Sequence, residues 1–215
     1  AQGSLENKIP LLDNAILNLR KALLEKQNTL TPSIYYILGK SYYFKGKFYL
    51  DLAIKYLNKS VEDGYSGEDT YEYLGLAYSD LGEYDQAAVY FQKAIAQHPS
   101  GLLLFILAQS YYQAGNNKSA EEYLLRSVNF GTKDTSVEEQ ARFLLGKIYT
   151  DQKSYFKAED QYKQILDIDP KSADAHYYLG DIYSLTNESV KARAEWREAL
   201  RIDPSHWGAR LKLYK

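Results

Sequence analysis

The sequence predicts an all-α fold, a right-handed α-solenoid of stacked helix-turn-helix repeats, and three observations support this prediction. First, a phrase of the form Leu-small-x-x-Tyr occurs five times, starting at Leu38, Leu74, Leu107, Leu145 and Leu179. Its copies are 36, 33, 38 and 34 residues apart, a period typical of repeat proteins. Second, apolar residues around each phrase recur at three- and four-residue spacing, which indicates helices. Third, an alanine and a large apolar residue follow each phrase at a similar distance.

The small residue inside each phrase indicates close packing of two helices. These residues are Gly39, Gly75, Ala108, Gly146 and Gly180. Glycine in a helix costs about 1 kcal/mol relative to alanine, so it needs a packing reason there. Two helices approach to about 8–10 Å only where the contact residues are small. We therefore expect Gly180 to lie against the second helix of its repeat, beside Ala192 and Trp196.

The second helix of each repeat supplies the matching positions. Its small residues are Ala53, Ala87, Ala120, Ala158 and Ala192. Four residues later come Leu57, Phe91, Leu124, Tyr162 and Trp196. Turn residues suited to the left-handed conformation separate the two helices at Gly46, Gly82, Gly115 and Asn187, whereas Lys153 departs from this rule.

This pattern resembles the tetratricopeptide repeat (TPR), a helix-turn-helix of about 34 residues, and the resemblance covers nearly the whole chain. It implies a single solenoid over 1–215, with an N-terminal capping helix or half repeat at 5–31 and the start of a further or capping helix at 207–215. The repeats are predicted at 32–67, 68–100, 101–138, 139–172 and 173–206. Their first helices are predicted at 32–45, 68–81, 101–114, 139–152 and 173–186.

Three segments depart from the regular pattern. The first repeat has two extra residues near its turn, which should lengthen a helix or widen the turn. The segment "NFGTKDTSVEE" at the end of the third repeat predicts a longer surface loop. Residues 10–26 predict an amphipathic helix, in which Ala15, Leu19 and Ala22 fit a second helix whose first helix is missing.

Composition and motifs argue against several classes of function. The net charge is -2 and the sequence pI is about 6.0, which does not favour nucleic acid as a partner. Cysteine is absent, which excludes disulfides, thiolate metal sites and cysteine nucleophiles. The three histidines lie in different repeats without ligand-like spacing, and we find no phosphate-loop, metalloprotease or nucleophile-elbow motif. We therefore expect no catalysis, no cofactor and no metal site.

The longest apolar run, "LLLFILA", is far shorter than the roughly 20 residues that cross a bilayer. We expect no membrane insertion by this segment. The composition is compatible with both cytoplasm and periplasm, and the opening residues "AQGS" are compatible with an upstream signal or membrane anchor.

The resemblance to the TPR family implies that function lies on the concave face, formed by positions 2, 5, 9, 12 and 13 of each first helix. The predicted partner-binding groove comprises Tyr36, Lys40, Tyr43, Phe44, Glu72, Phe105, Gln109, Tyr112, Phe143, Lys147, Tyr177 and Asp181. Aromatic residues dominate this set, and carboxylates outnumber lysines at its rim. The predicted function is a non-catalytic scaffold that holds a partner's peptide or helix, with a preference for a neutral or basic segment.

Two known binding modes of the family do not match. The carboxylate clamp of chaperone-tail binders needs lysine and asparagine at positions 5 and 9, where the first repeat has Tyr36 and Lys40. The asparagine at position 6 that lines the groove of O-linked N-acetylglucosamine transferase is also absent, since Tyr73 and Tyr178 are among the residues there. Two alternatives remain: a homo-oligomeric scaffold assembled through open solenoid ends, and a recognition arm of a larger protein.

Overall fold

The computed structural model describes residues 8–24, 30–130 and 135–214, which form helices joined by turns, with no strand among them. In chain order, the helices begin with α1 (Lys8–Ala22), α2 (Thr31–Lys45), α3 (Leu50–Glu62), α4 (Thr70–Leu81), α5 (Tyr84–Gln97) and α6 (Gly101–Gln113). They are followed by α7 (Asn117–Asn129), α8 (Thr135–Asp151), α9 (Tyr155–Ile168), α10 (Ala173–Leu185), α11 (Ser189–Ile202) and α12 (Trp207–Tyr214). The predicted all-α class is confirmed.

The chain divides into two compact units. Unit 1 comprises Ala1–Pro99 and Gln109–Asn116, and unit 2 comprises Ser100–Ala108 and Asn117–Lys215. In unit 1, α2 packs against α3, α3 against α4, and α4 against α5. In unit 2, α8 packs against α9, α9 against α10, and α10 against α11. Within each unit these helices contact their neighbours in sequence, as in a repeat stack, while the predicted repeat boundaries stay a prediction.

The glycines of the repeated phrase lie where two helices of a pair approach closely. A Cβ placed on Gly180 would lie 2.6 Å from the Trp196 indole and 3.0 Å from the backbone oxygen of Ala192. A Cβ on Gly39 would lie 2.5 Å from Cγ of Leu57. These distances leave no room for a side chain, so glycine is required by packing, as the sequence predicts.

Lys153 adopts the left-handed conformation of the other turns although it is not glycine. Its φ is 58°, beside 64° at Asn187 and 83° at Gly82. The Lys153 N–H donates to the carbonyl of Thr150 at 2.9 Å, and the next N–H donates to Tyr149 at 2.8 Å. The same pair of hydrogen bonds follows α4 and α10. The turn geometry is therefore the same, although the left-handed conformation is sterically unfavourable for a lysine.

The first repeat has a wider turn. Gly46 has a φ of 110° and a ψ of −177°, and a 3₁₀-helix, Lys47–Tyr49, stands between it and α3. The two extra residues therefore widen the turn, which was one of the two predicted outcomes.

Two helix boundaries differ from the prediction by four residues. Helix α8 begins at Thr135, inside the predicted loop, because Val137 is buried and Glu138 pairs with Arg142 at 2.7 Å one turn later. Residues 131–134 of that loop lie outside the described residues. Helix α1 ends at Ala22 rather than at residue 26, and residues 25–29 likewise lie outside the described part of the chain.

Candidate partner-binding faces

In unit 1, helices α2 and α4 present a continuous group of aromatic and charged side chains. We call it the unit-1 face; it comprises Tyr36, Lys40, Tyr43, Phe44, Asp69, Glu72, Tyr73 and Asp80. Four of the predicted groove residues on it come from α2, where positions 5, 9, 12 and 13 share one side of the helix. Glu72, the fifth, comes from α4.

Lys40, Tyr36 and Asp69 form a hydrogen-bonded triad at one end of the unit-1 face. Lys40 Nζ donates to Asp69 at 2.6 Å and to the Tyr36 hydroxyl at 3.1 Å. The Tyr36 hydroxyl donates to the other Asp69 oxygen at 2.5 Å. Burial opposes the charge of Lys40, but the interactions with Asp69 and Tyr36 together outweigh it and raise the pKa of Lys40. Asp69 is the N-cap residue of α4 but makes no side-chain cap bond, so its carboxylate serves the triad instead.

Three rings at the other end pack edge to face. Tyr43, Phe44 and Tyr73 have centroids 5.3–5.6 Å apart and interplanar angles of 67–72°, the arrangement that aromatic quadrupoles favour. We call these three residues the Tyr43 cluster. Phe44 is 55% exposed, so one ring of a well-packed group is open to solvent.

Two carboxylates flank the Tyr43 cluster. Burial and the nearby Asp80 carboxylate raise the pKa of Tyr43 to about 12. Burial and the negative charge of Asp69 raise the pKa of Glu72. Among the described residues, no salt bridge within 4.0 Å involves Glu72 or Asp80. Asp69 already neutralises Lys40. Glu72 and Asp80 therefore give the part of the unit-1 face around the Tyr43 cluster a net negative charge.

Unit 2 presents a second aromatic face, formed by Phe143, Tyr177, Tyr178 and Asp181, which we call the unit-2 face. The centroid of Tyr178 lies 6.0 Å from that of Phe143 and 5.1 Å from that of Tyr177, and Tyr178 is 42% exposed. Burial and Asp181 raise the pKa of Tyr177 to about 12.

Asp181 on this face already has two partners. Its Oδ1 accepts a hydrogen bond from Trp196 Nε1 at 3.1 Å and pairs with Lys212 at 3.0 Å. The charge of this carboxylate is therefore balanced within unit 2.

The remaining predicted groove residues lie on α6 and α8. Phe105 is only 5% exposed and offers no surface to a partner, contrary to the expectation that position 5 faces a groove in every repeat. The reason is that α6 is apolar on most sides, with Leu103, Leu104 and Leu107 also buried. Gln109 and Lys147 are exposed and Tyr112 is partly buried.

Sequence reasoning missed Tyr73 and Tyr178 as members of these faces. Both stand at position 6, one residue after the groove position, and both rings contact the predicted aromatics. A tyrosine at the same position of two repeats was the sequence signal that could have indicated their place on these faces.

Two of the three histidines, His176 and His206, make structural contacts. His176 Nδ1 lies 2.6 Å from Glu195, and His206 accepts the Ala209 N–H at 3.1 Å on Nδ1 while its Nε2 lies 3.0 Å from Asp174. Within the described ranges, no cluster of three or more metal-ligating side chains could hold an ion. No helix in this part of the chain is long and apolar enough to cross a membrane.

Paired helices stacked in sequence order define a helical-repeat protein of the kind that serves as a protein-interaction scaffold. Family models described as "Tetratricopeptide repeat" match residues 74–136 and 173–206, and one described as "TPR repeat" matches residues 146–187. The chain belongs to the tetratricopeptide repeat family.

Solved structures share this fold. YrrB, described as "a TPR protein with an unusual peptide-binding site", is 25% identical, with a TM-score of 0.71 over 90% of this chain and 96% of that chain. MamA is 22% identical, with a TM-score of 0.72 over 87% of this chain and 98% of that chain. The C-terminal part of a TPR repeat-containing protein from Cytophaga hutchinsonii is 18% identical, with a TM-score of 0.65, and covers 98% of this chain and all of that one. No curated protein matches the sequence.

Proposed function

We propose that this chain binds a peptide or helix of a partner protein, with the aromatic residues of its first helices as anchors. The observation that carries the proposal is Phe44, a large ring that is more than half exposed on the Tyr43 cluster. Two neighbouring rings from α2 and α4 hold it in place. A pre-positioned ring gives a partner large contact area at little cost in side-chain entropy.

The unit-2 face supports the same function. Tyr178 is exposed between Phe143 and Tyr177 and stacks on Tyr162 with centroids 5.4 Å apart. Binding hot spots concentrate on aromatic residues of this kind. YrrB, a relative of similar fold, is described as having a peptide-binding site, which agrees with a peptide as the occupant.

Charge favours a neutral or basic segment. Glu72 and Asp80 act on Tyr43, the ring that packs against Phe44, and neither forms a salt bridge among the described residues. Complementary charge at such a rim mainly accelerates association, so added salt should slow binding more than it speeds release.

The test is selection of binders from a random peptide library displayed on phage, followed by affinity measurements with synthetic peptides. Phe44→Ala should weaken selected peptides about 30-fold, the loss of one hot spot. Phe48→Ala is the matched control, because this phenylalanine is fully exposed on the 3₁₀-helix between α2 and α3. Circular dichroism checks that both variants stay helical. If both variants bind as tightly as the parent, the unit-1 face is not the site.

A second candidate function is self-assembly, favoured by the exposed apolar side of α12. Trp207, Leu211 and Tyr214 all face solvent there. Trp207 is 76% and Tyr214 79% exposed, so this side of α12 offers apolar surface to a second copy of the chain. Light scattering over a concentration series decides this point: a constant monomer mass contradicts self-assembly, and a mass that falls in Trp207→Ala supports it.

A further inference from the structure

We propose that the unit-1 face recognises an arginine side chain of the partner segment, stacked on Phe44 and paired with the carboxylates of Glu72 and Asp80. This inference rests on the proposed function, because it names the chemistry of the residue that anchors the partner there.

A cation over aromatic rings already occurs on this face. Lys40 Nζ lies 4.6 Å from the ring centroid of Tyr73 and 5.1 Å from that of Tyr36. Asp69 neutralises this lysine at 2.6 Å, so the chain uses both cation–π contact and ion pairing within a few ångströms. The Phe44 ring packs edge to face against Tyr73 and Tyr43 and is more than half exposed, so it is open to a cation from a partner.

The two carboxylates that act on Tyr43 form no ion pair among the described residues, although the charge of Lys40 also reaches Glu72. Tyr43 contacts Phe44 directly, and the fields of both Asp80 and Glu72 reach Tyr43. Neither carboxylate has a salt bridge within 4.0 Å in the described parts of the chain. An incoming cation would relieve the repulsion between Glu72 and Asp69, which together with burial disfavours ionisation of Glu72.

Arginine fits these features better than lysine. Its planar guanidinium stacks flat on an aromatic ring while its N–H groups point outward toward carboxylates. Lysine concentrates its charge at one point and keeps more of its hydration. An exposed ring whose neighbour Tyr43 is acted on by two carboxylates is therefore matched to a planar, multidentate donor.

The unit-2 face lacks this property although it is equally aromatic. Asp181 there is bonded to Trp196 and paired with Lys212, so its charge is already used within the chain. We expect arginine selectivity on the unit-1 face alone.

The experiment uses the peptides selected by phage display against the complete chain, made synthetically with each arginine replaced by citrulline, which keeps the shape and removes the charge. In the parent, one such replacement should lower affinity about tenfold. In the variant Glu72→Gln/Asp80→Asn, the same replacement should change affinity less than twofold. The control variant is Glu62→Gln/Asp85→Asn, which removes two exposed carboxylates elsewhere on unit 1 and should keep the tenfold effect.

The outcomes separate the two proposals. Peptides that need Phe44 but bind equally with citrulline overturn the arginine site and leave the proposed function standing. An equal citrulline effect in the parent and in Glu72→Gln/Asp80→Asn also overturns it, because the carboxylates would then have no part. If Phe44→Ala leaves the binding of every selected peptide unchanged, the arginine site is overturned and the unit-1 face is not where the chain binds its partner.

Discussion

Gly180→Ala tests the packing rule on which the repeats depend. The new methyl group would lie 2.6 Å from the Trp196 indole and 3.0 Å from the Ala192 carbonyl oxygen. The oxygen belongs to the backbone and cannot rotate away, so α10 and α11 must separate. Overpacking of this kind costs about 1–3 kcal/mol. Alanine returns about 1 kcal/mol of helix propensity, which leaves a net loss of up to about 2 kcal/mol.

A second substitution tests whether the Trp196 indole causes the destabilisation by Gly180→Ala. By repeat register, Ala108 and Leu124 occupy the places of Gly180 and Trp196, and both are fully buried. The third repeat thus has an alanine and a leucine at these two positions. In the background Trp196→Leu, the clash with the indole is removed and only the close contact with the Ala192 oxygen remains, so Gly180→Ala should cost less than it does in the parent. The difference between the two backgrounds is the coupling free energy.

Urea denaturation followed by circular dichroism measures the free energy of unfolding of the four proteins in this cycle. Hydrogen exchange of the parent and of Gly180→Ala shows where protection is lost. In a repeat stack, the loss should be greatest at α10 and α11. Equal costs of Gly180→Ala in both backgrounds would refute the reasoning, as would a stabilised single variant. Uniform loss of exchange protection along the chain would contradict the nearest-neighbour picture.

Two further predictions concern the turns and the tyrosines. Lys153→Gly should raise the free energy of unfolding by about 1 kcal/mol because it removes left-handed strain, and Gly82→Ala should lower it by a similar amount; an unchanged urea midpoint in both would contradict this. Burial first, and then nearby acidic groups, raise the pKa values of Tyr43 and Tyr177 to about 12. The unfolded chain loses these two protons near pH 10, whereas the folded chain retains them. The contribution of these tyrosines to the free energy of unfolding should therefore be constant below pH 10 and fall from pH 10 to 12. Urea midpoints beside tyrosinate absorbance at 295 nm check the sign, and a midpoint that rises over this interval would refute it.

The sequence predicted the fold because close helix packing leaves a local signature. Only a glycine or an alanine fits where the two helices of a pair meet, so Gly39, Gly180 and their equivalents recur with the repeat period. The left-handed turn is set by two backbone hydrogen bonds rather than by residue type alone, which is why Lys153 keeps the geometry that its identity does not indicate.

By itself, then, the sequence determined the repeat, the helix pairs and the residues that make their contacts, because these depend on short spacings. The tertiary structure decided which aromatics remain at the surface. Phe105 and Phe44 both belong to the predicted groove, yet one is buried and the other exposed. It also decided which carboxylates are neutralised, since Asp69 meets a lysine from a neighbouring helix whereas Asp80 does not. Exposure and charge pairing depend on atoms distant in sequence, and no local pattern records them.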